Sequence, residues 1–186
     1  MLVSSSLEKL KESHRVVVAW RAFELRPADG PPISPEYRAK IEANRPHIYA
    51  IAKEQYGLEI NPGPFGLDTR PALVGAKYAE AQGLGEAYSQ AVFRAYWLKG
   101  RNIESPEVLG DLAVQMGLDG QAFLAALADQ TYRSAMMADL EQAFNYGLSG
   151  VPALIFDHKY LVSGAQPYSV LAEVVDKIEA GQLEQG

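Results

Sequence analysis

Residues 150–162 have the sequence Gly150-Val151-Pro152-Ala153-Leu154-Ile155-Phe156-Asp157-His158-Lys159-Tyr160-Leu161-Val162, in which two apolar runs flank a short polar segment. The apolar run 151–156 predicts a short strand and the run 160–162 predicts a returning strand. Asp157-His158 predicts a two-residue turn between them, because aspartate and histidine tolerate positive φ better than most residues. Proline cannot donate a hydrogen bond to a ladder, so Pro152 marks the strand's start or a special turn. The stretch therefore predicts a β-hairpin.

The elements outside the hairpin set its context. Partial apolar periodicity predicts a helix over 2–14, and the β-branched run Val16-Val17-Val18 predicts a strand over 15–25, central and covered on both faces. Ser34 and Pro35 predict a helix start, and that helix runs to about Gln55. The pattern is helical almost throughout 71–147. A last helix opens at Gln166-Pro167.

This order of elements indicates a fold class. With one strand placed before residue 1, the order becomes βαβ, a helical insertion, then ββα, which is the order of an α/β thioredoxin-like fold. The first strand of that fold is missing from the sequence. We predict an incomplete thioredoxin-like domain over 1–33 and 148–186, and a helical insertion domain over 34–147.

Composition excludes several classes of chemistry. The 186 residues include 17 Lys and Arg and 23 Asp and Glu, so the net charge is −6. This negative charge disfavours binding to nucleic-acid phosphates. There is no cysteine, so this chain alone builds no disulfide, thiolate zinc site, iron–sulfur cluster or cysteine nucleophile.

The N-terminal residues show no signal-peptide pattern, and no apolar stretch is long enough to span a bilayer. We expect a cytoplasmic protein that does not bind membranes.

The three histidines, His14, His47 and His158, have no metal-ligand spacing. We therefore predict surface or partly buried histidines, no metal site and no cofactor.

Three acidic residues near a helix start have the spacing i, i+3, i+7, and a catalytic carboxylate pair could have this pattern. They are Glu104, Glu107 and Asp111. A solvated acidic face that complements the helix dipole is the favoured interpretation.

Two further groups leave alternatives open. Ser4 to Ser6 stand at the start of the first helix, where a hydroxyl can stabilise a bound thiolate or anion, but capping or polar surface is the favoured interpretation.

An aromatic-rich helix follows later in the chain. Packing of the insertion against the other half is favoured over lining a substrate groove. Its aromatic residues are Tyr88, Phe93, Tyr96 and Trp97.

The residues alone favour a trans Val151–Pro152 bond, because only about 5–6% of X–Pro bonds in folded proteins are cis. A cis bond would leave the Val151 N–H and C=O facing outward, able to pair with an extended peptide.

Three separated motifs, in the correct order, resemble DsbA-like thioredoxin-fold proteins, in particular the FrnE-like branch. They are Trp20-Arg21-Ala22-Phe23-Glu24-Leu25; the insertion motif Ala91-Val92-Phe93-Arg94-Ala95-Tyr96-Trp97 with Gly100-Arg101-Asn102-Ile103 and Pro106-Glu107-Val108-Leu109; and the C-terminal stretch from Gly150 to Pro167. The resemblance implies that Pro152 is a cis-proline next to an active site. It implies that Gly150, Val151 and Pro152 bind substrate, and that a Cys-x-x-Cys pair at the start of the first helix performs thiol–disulfide exchange.

The sequence departs from that family where the cysteines belong. Leu2 onward matches the segment just after the family's active site, and no catalytic residue is present in this chain. We therefore expect a thiol–disulfide oxidoreductase relative that is inactive as given. Either the start of the chain is placed too late, so that the active site is lost, or the protein is a natural non-catalytic relative; the first is slightly favoured because the remainder is intact.

Two other functions remain alternatives. One is a glutathione-dependent enzyme like the kappa-class transferases or hydroxychromene-carboxylate isomerases, with Ser4 to Ser6 as the thiolate-binding candidates. The other is a non-catalytic module that binds an extended peptide beside Pro152. The expected partner is a peptide or protein carrying a thiol or disulfide.

The sheet position left by the missing strand predicts a homodimer, because an exposed sheet edge pairs readily with another chain. Light scattering of the purified chain should therefore give twice the mass of one chain. A monodisperse monomer would remove this expectation.

Overall fold

The computed structural model describes residues 4–27 and 30–182. Its contacts divide the chain into two compact units, unit 1 (Met1–Trp20 with Ala143–Gly186) and unit 2 (Arg21–Gln142). The domain boundaries predicted from sequence, at 33/34 and 147/148, stay a prediction. The described elements, in chain order, are α1 Ser4–Ser13, α2 Pro35–Tyr56, α3 Arg70–Ala81, α4 Gly85–Trp97, α5 Pro106–Gln115, α6 Gly120–Ala126, α7 Gln130–Asn145, β1 Ala153–Phe156, β2 Tyr160–Ser163 and α8 Tyr168–Glu179.

The predicted hairpin is present in unit 1. Strands β1 and β2 are antiparallel, and Phe156 lies opposite Tyr160, so Asp157, His158 and Lys159 form the loop. Asp157 and His158 have φ of 50° and 57°, and Lys159 N donates to Phe156 O at 3.0 Å. Positive φ at both central residues is what a type I′ turn requires. The turn prediction is confirmed, with one residue added to the loop.

Helices α1 and α8 supply the buried core of unit 1. Both are amphipathic, so each places leucines or valines on one face, and that face packs with the apolar side chains of the hairpin and of residues 16–20. The fully or nearly buried members are Leu7, Leu10, Leu171 and Val175, and the partly buried ones are Val16, Val18, Trp20, Leu154, Phe156, Val162, Tyr168 and Ala172. The predicted last helix is thus confirmed, and Leu171 and Val175 lie on its buried face.

The strand predicted over 15–25 is wrong. Residues 15–24 have no regular secondary structure, and β1 with β2 is the whole sheet of the described residues. Val16, Val18 and Trp20 are partly buried while Val17 is 97% exposed, so the segment alternates like a strand with one face covered. A strand also needs a neighbouring backbone to complete its hydrogen bonds, and the described chain provides none for this segment.

The helices were predicted well because their ends carry local signals. Ser34 Oγ accepts from Tyr37 N at 3.2 Å and starts α2, and Gly57 with φ 63° ends it. Ser105 and Asp119 cap α5 and α6 in the same way. The first helix was predicted over 2–14. Its structure is described from Ser4, and Leu2 and Val3 lie outside the described residues.

Unit 2 is built on an apolar core centred on Phe123. The ring of Phe123 lies 5.8 Å from that of Tyr78, edge to face, and 5.5 Å from that of Tyr88. Tyr88 is completely buried, and burial raises the pKa of its hydroxyl far above the usual range. Gly75 is required beside it, since a Cβ there would meet the Tyr88 hydroxyl at 2.5 Å. Tyr88 is therefore a core residue within unit 2.

A buried ion pair holds the first residues of unit 2. Lys77 Nζ lies 2.6 Å from Asp139 Oδ2, and both side chains are buried. The same carboxylate accepts a hydrogen bond from Ala22 N at 2.8 Å, 117 residues away in the chain, and Arg21 lies 3.3 Å from its other oxygen. The side chain of Asp139 therefore holds residues 21–22 in place, although the described chain offers no strand with which they could pair.

Replacing Leu171 with alanine should destabilise the protein by about 2–5 kcal/mol, because it opens a cavity where the side chain is fully buried. Leu161→Ala is the matched control, since Leu161 is largely exposed on β2, and it should cost less than about 1 kcal/mol. Urea unfolding measures both values, and equal losses would contradict the assigned core.

Removing the Asp139 carboxylate should cost about 3 kcal/mol, because Asp139→Ala leaves Lys77 buried beside only Glu80 and leaves Ala22 N without its acceptor. Adding Lys77→Met should restore part of the loss. The surface control is Asp111→Ala, whose ion pair with Arg101 is exposed and should be worth less than about 1 kcal/mol. Thermal unfolding of the four proteins tests this, and no loss with Asp139→Ala would refute it.

Candidate functional site

The candidate site is the chain leading into β1. The Val151–Pro152 peptide bond is cis. Pro152 is partly buried, and its carbonyl accepts a hydrogen bond from Gly164 N at 2.8 Å, which extends the hairpin one pair beyond β1 and β2. Val151 is 57% exposed, in contrast to the partly buried strand that follows it. The strand therefore begins at Ala153 and not at Val151, and Val151 stands outside the ladder.

The backbone around Val151 is open. Neither its N–H nor its C=O has a hydrogen-bond partner among residues 4–27 and 30–182. A Cβ built on Gly150 would meet no atom within 4 Å, so the space beside this residue is free. An exposed N–H and C=O next to a strand can pair with an extended peptide. That Gly150, Val151 and Pro152 bind substrate stays a prediction that this geometry allows.

Gly164 closes the hairpin end opposite Pro152. It has φ 81°, a conformation that side chains with a Cβ adopt at a cost. Gln166 Nε2 donates to Ser163 O at 2.9 Å and stabilises the turn into α8. The position of Pro152 thus depends on a glycine in the left-handed region.

The serines at the start of the chain lie in the first turn of α1. Ser5 is exposed and Ser6 is partly buried, while the side chain of Ser4 lies outside the described residues. The N–H groups of a helix's first turn have no partner within the helix. Both the capping and the anion-binding interpretations of these serines remain open.

The histidines are surface or partly buried, as predicted. His14 Nε2 lies 3.3 Å from Asp176 Oδ1 and its Nδ1 lies 2.7 Å from Ser13 Oγ, which ties α1 to α8. His47 and His158 are exposed. In the part of the chain that is described, no group of three or more histidine or carboxylate side chains could hold a metal ion.

The three acidic residues near the start of α5 are exposed to solvent; Glu104 precedes the helix, while Glu107 and Asp111 lie on it. Glu104 and Glu107 are exposed, and Asp111 pairs with Arg101 at 2.9 Å. The interpretation as a catalytic carboxylate pair finds no support in this arrangement.

No helix within the described ranges is both long and apolar enough to cross a membrane.

Sequence reasoning missed an arginine–aromatic cluster in unit 2, formed by Arg26, Tyr37, Arg38, Arg45 and Phe65. The guanidinium carbons of Arg26, Arg38 and Arg45 lie 5.9, 5.2 and 5.6 Å from the centroid of the Phe65 ring. Arg26 also lies 4.4 Å from the centroid of Tyr37. The spacing of Arg38 and Arg45 on α2 places them on one helix face, which was a usable signal. Arg26 and Phe65 come from loops, and no sequence pattern connects them.

Comparison with known proteins gives a consistent result. A family model described as the DSBA-like thioredoxin domain matches residues 1–176. A protein of Bacillus subtilis, the uncharacterized protein YwbO, is 31% identical over 158 residues, which are 81% of this chain and 77% of that protein. The thiol:disulfide interchange protein DsbA of Azotobacter vinelandii is 31% identical over 81 residues, which are 44% of this chain and 38% of that protein.

Solved structures agree with these sequence matches. The probable DsbA oxidoreductase SCO1869 of Streptomyces coelicolor has a TM-score of 0.79 at 27% identity, covering 98% of this chain and 85% of that one. The cytosolic disulfide reductase DsbM of Pseudomonas aeruginosa has a TM-score of 0.54 at 25% identity, covering 73% and 75%. A 2-hydroxychromene-2-carboxylate isomerase has a TM-score of 0.76 at 19% identity, covering 98% and 93%, and shares the fold alone.

Substituting Gly164 with alanine should cost about 1–2 kcal/mol, because a Cβ is strained at φ 81°. Gly150→Ala is the matched control, since its φ is not positive and its Cβ would meet nothing, so it should stay within about 0.5 kcal/mol of the parent. Thermal unfolding distinguishes the two variants. Equal melting temperatures would contradict the left-handed assignment at Gly164.

Proposed function

The chain belongs to the DSBA-like thioredoxin domain family, and on that premise we propose that it binds an extended segment of a thiol- or disulfide-bearing protein beside Val151. Its fold is thioredoxin-like and mostly helical, with one small sheet among the described residues. The observation that carries the proposal is the exposed Val151, whose backbone N–H and C=O have no partner in the described chain. A peptide backbone that pairs there gains hydrogen bonds without displacing any that the protein already makes.

The chain itself exchanges no disulfide. Thiol–disulfide exchange begins with attack of a thiolate on a disulfide sulfur, and none of the 186 residues is a cysteine. The part that these residues play is therefore binding, and reduction or oxidation of a bound segment needs a thiolate from outside them. Gly150 leaves the approach to Val151 free, and Pro152 is held to the hairpin through Gly164.

The finer assignment rests on likeness. The insertion and C-terminal motifs resemble the FrnE-like branch, which supports a place there. The likeness to a disulfide reductase named as cytosolic supports a cytoplasmic location. The glutathione-dependent alternative is supported by a shared fold at 19% identity. Peptide binding is the stronger proposal because it depends on a feature of this chain's own backbone.

The test is a titration of the ¹⁵N-labelled chain with a short cysteine-containing peptide whose thiol is alkylated. The amide signals of Gly150 and Val151 should shift with peptide concentration, whereas that of Gly117, in unit 2, should not. Val151→Glu should weaken binding by about tenfold, because a charged side chain then lies beside the pairing edge. Val170→Glu is the matched control, an exposed valine of the same unit, and should bind like the parent.

Two outcomes would overturn the proposal. Absence of any shift at Val151 would remove the peptide site. Stabilisation of the chain against heat by reduced glutathione, without a peptide effect, would favour the glutathione-using alternative, because a ligand specific for the folded state raises its stability. Adding the chain should not speed the reduction of insulin disulfides by dithiothreitol. Faster reduction would contradict the absence of exchange chemistry.

A further inference from the structure

The arginine–aromatic cluster gathers positive charge at one place in an acidic protein. Three guanidinium groups lie within 5.9 Å of the centre of a single ring, that of Phe65. The chain as a whole has a net charge of −6. Like charges repel, so such a gathering costs free energy unless something of opposite charge lies against it.

No carboxylate of the described chain neutralises this cluster. Arg26, Arg38 and Arg45 have no ion pair among residues 4–27 and 30–182. Glu24, close to Arg26 in sequence, is used by Arg70 at 2.6 Å. Glu36 and Glu42 stand on α2 itself, are exposed, and pair with none of the three.

The aromatic rings hold the guanidinium groups in place. Arginine stacked on a ring keeps all its N–H donors available at the edge of the guanidinium plane, where a carboxylate binds through two parallel hydrogen bonds. The helix start at Ser34 adds its positive pole next to Tyr37 and Arg38. The cluster is therefore arranged to receive anionic groups.

We propose that the cluster formed by Arg26, Tyr37, Arg38, Arg45 and Phe65 docks an acidic peptide segment of a partner protein. Arg26, Tyr37 and Arg38 are exposed, while Arg45 and Phe65 are partly buried, so the groups form a surface open to a polypeptide. Ile48, one turn beyond Arg45 on α2, is also exposed and offers apolar contact next to the charges. Complementary charge and adjacent apolar surface fit a segment of aspartate, glutamate and large apolar residues.

Nucleic acid fits this surface less well. It binds through many phosphate contacts along a basic stripe, and this surface offers three cations around one ring. The site is also independent of the proposed function, since all its residues lie in unit 2 and Val151 lies in unit 1.

The experiment measures fluorescence anisotropy of a labelled peptide of Asp, Glu and Leu, with the matching peptide of Asn, Gln and Leu as the uncharged control. The acidic peptide should bind the 186-residue chain, and raising the salt from about 20 to about 200 mM should weaken binding, because the ionic atmosphere screens exposed charges. The double variant Arg38→Gln/Arg45→Gln should lose binding by at least about tenfold. Arg133→Gln, which removes an exposed arginine of α7, should change it by less than about twofold.

Two further variants keep the test decisive if the glutamine variant is unstable. Arg38→Lys/Arg45→Lys retains the charge and should keep part of the affinity, and Phe65→Leu should weaken binding although all three arginines remain. Circular dichroism verifies that each variant is folded. Equal peptide binding by the parent and the folded variants would overturn the proposal, and arginine-dependent binding of oligo-dT in place of the peptide would replace the acidic partner with a nucleic acid.

Discussion

Each backbone N–H and C=O that folding takes out of water has to find a hydrogen-bond partner, and this requirement shapes the whole molecule. Buried N–H and C=O groups need partners, and most of the described chain satisfies them within helices. The one short hairpin pairs its two strands with each other, through to the bond between Gly164 and Pro152. Residues that belong neither to a helix nor to this hairpin must find other partners or remain solvated.

Two segments show the two outcomes of that constraint. The described chain offers no strand for the residues after Trp20 to pair with. Ala22 N instead donates to the buried carboxylate of Asp139, which pairs with Lys77. Val151 is the opposite case, since the residue is largely exposed and its backbone has no partner in the described chain. A buried N–H therefore has a charged side chain as its acceptor, whereas the unpaired backbone belongs to an exposed residue.

The charged side chains follow a similar division. Asp139 is enclosed and serves the internal structure, so its partners are fixed and close. Arg26, Arg38 and Arg45 lie beside aromatic rings and form no ion pair in the described ranges. This chain has no cysteine, and the two surfaces that we propose for binding lie beside Val151 and around Phe65.

The helices, the hairpin and the family could all be predicted from the amino-acid sequence. Ser34, Ser105 and Asp119 cap helices with their own side chains, and Asp157-His158 accept positive φ, so each signal acts over a few residues and can be recognised without the fold. The conformation of residues 15–25 could not be predicted in this way, because β-branched residues favour a strand but cannot supply the neighbouring backbone that a strand needs. Only the tertiary structure decided the contacts of Asp139 and of the arginines around Phe65, because distant parts of the chain meet there and no short pattern encodes which ones do.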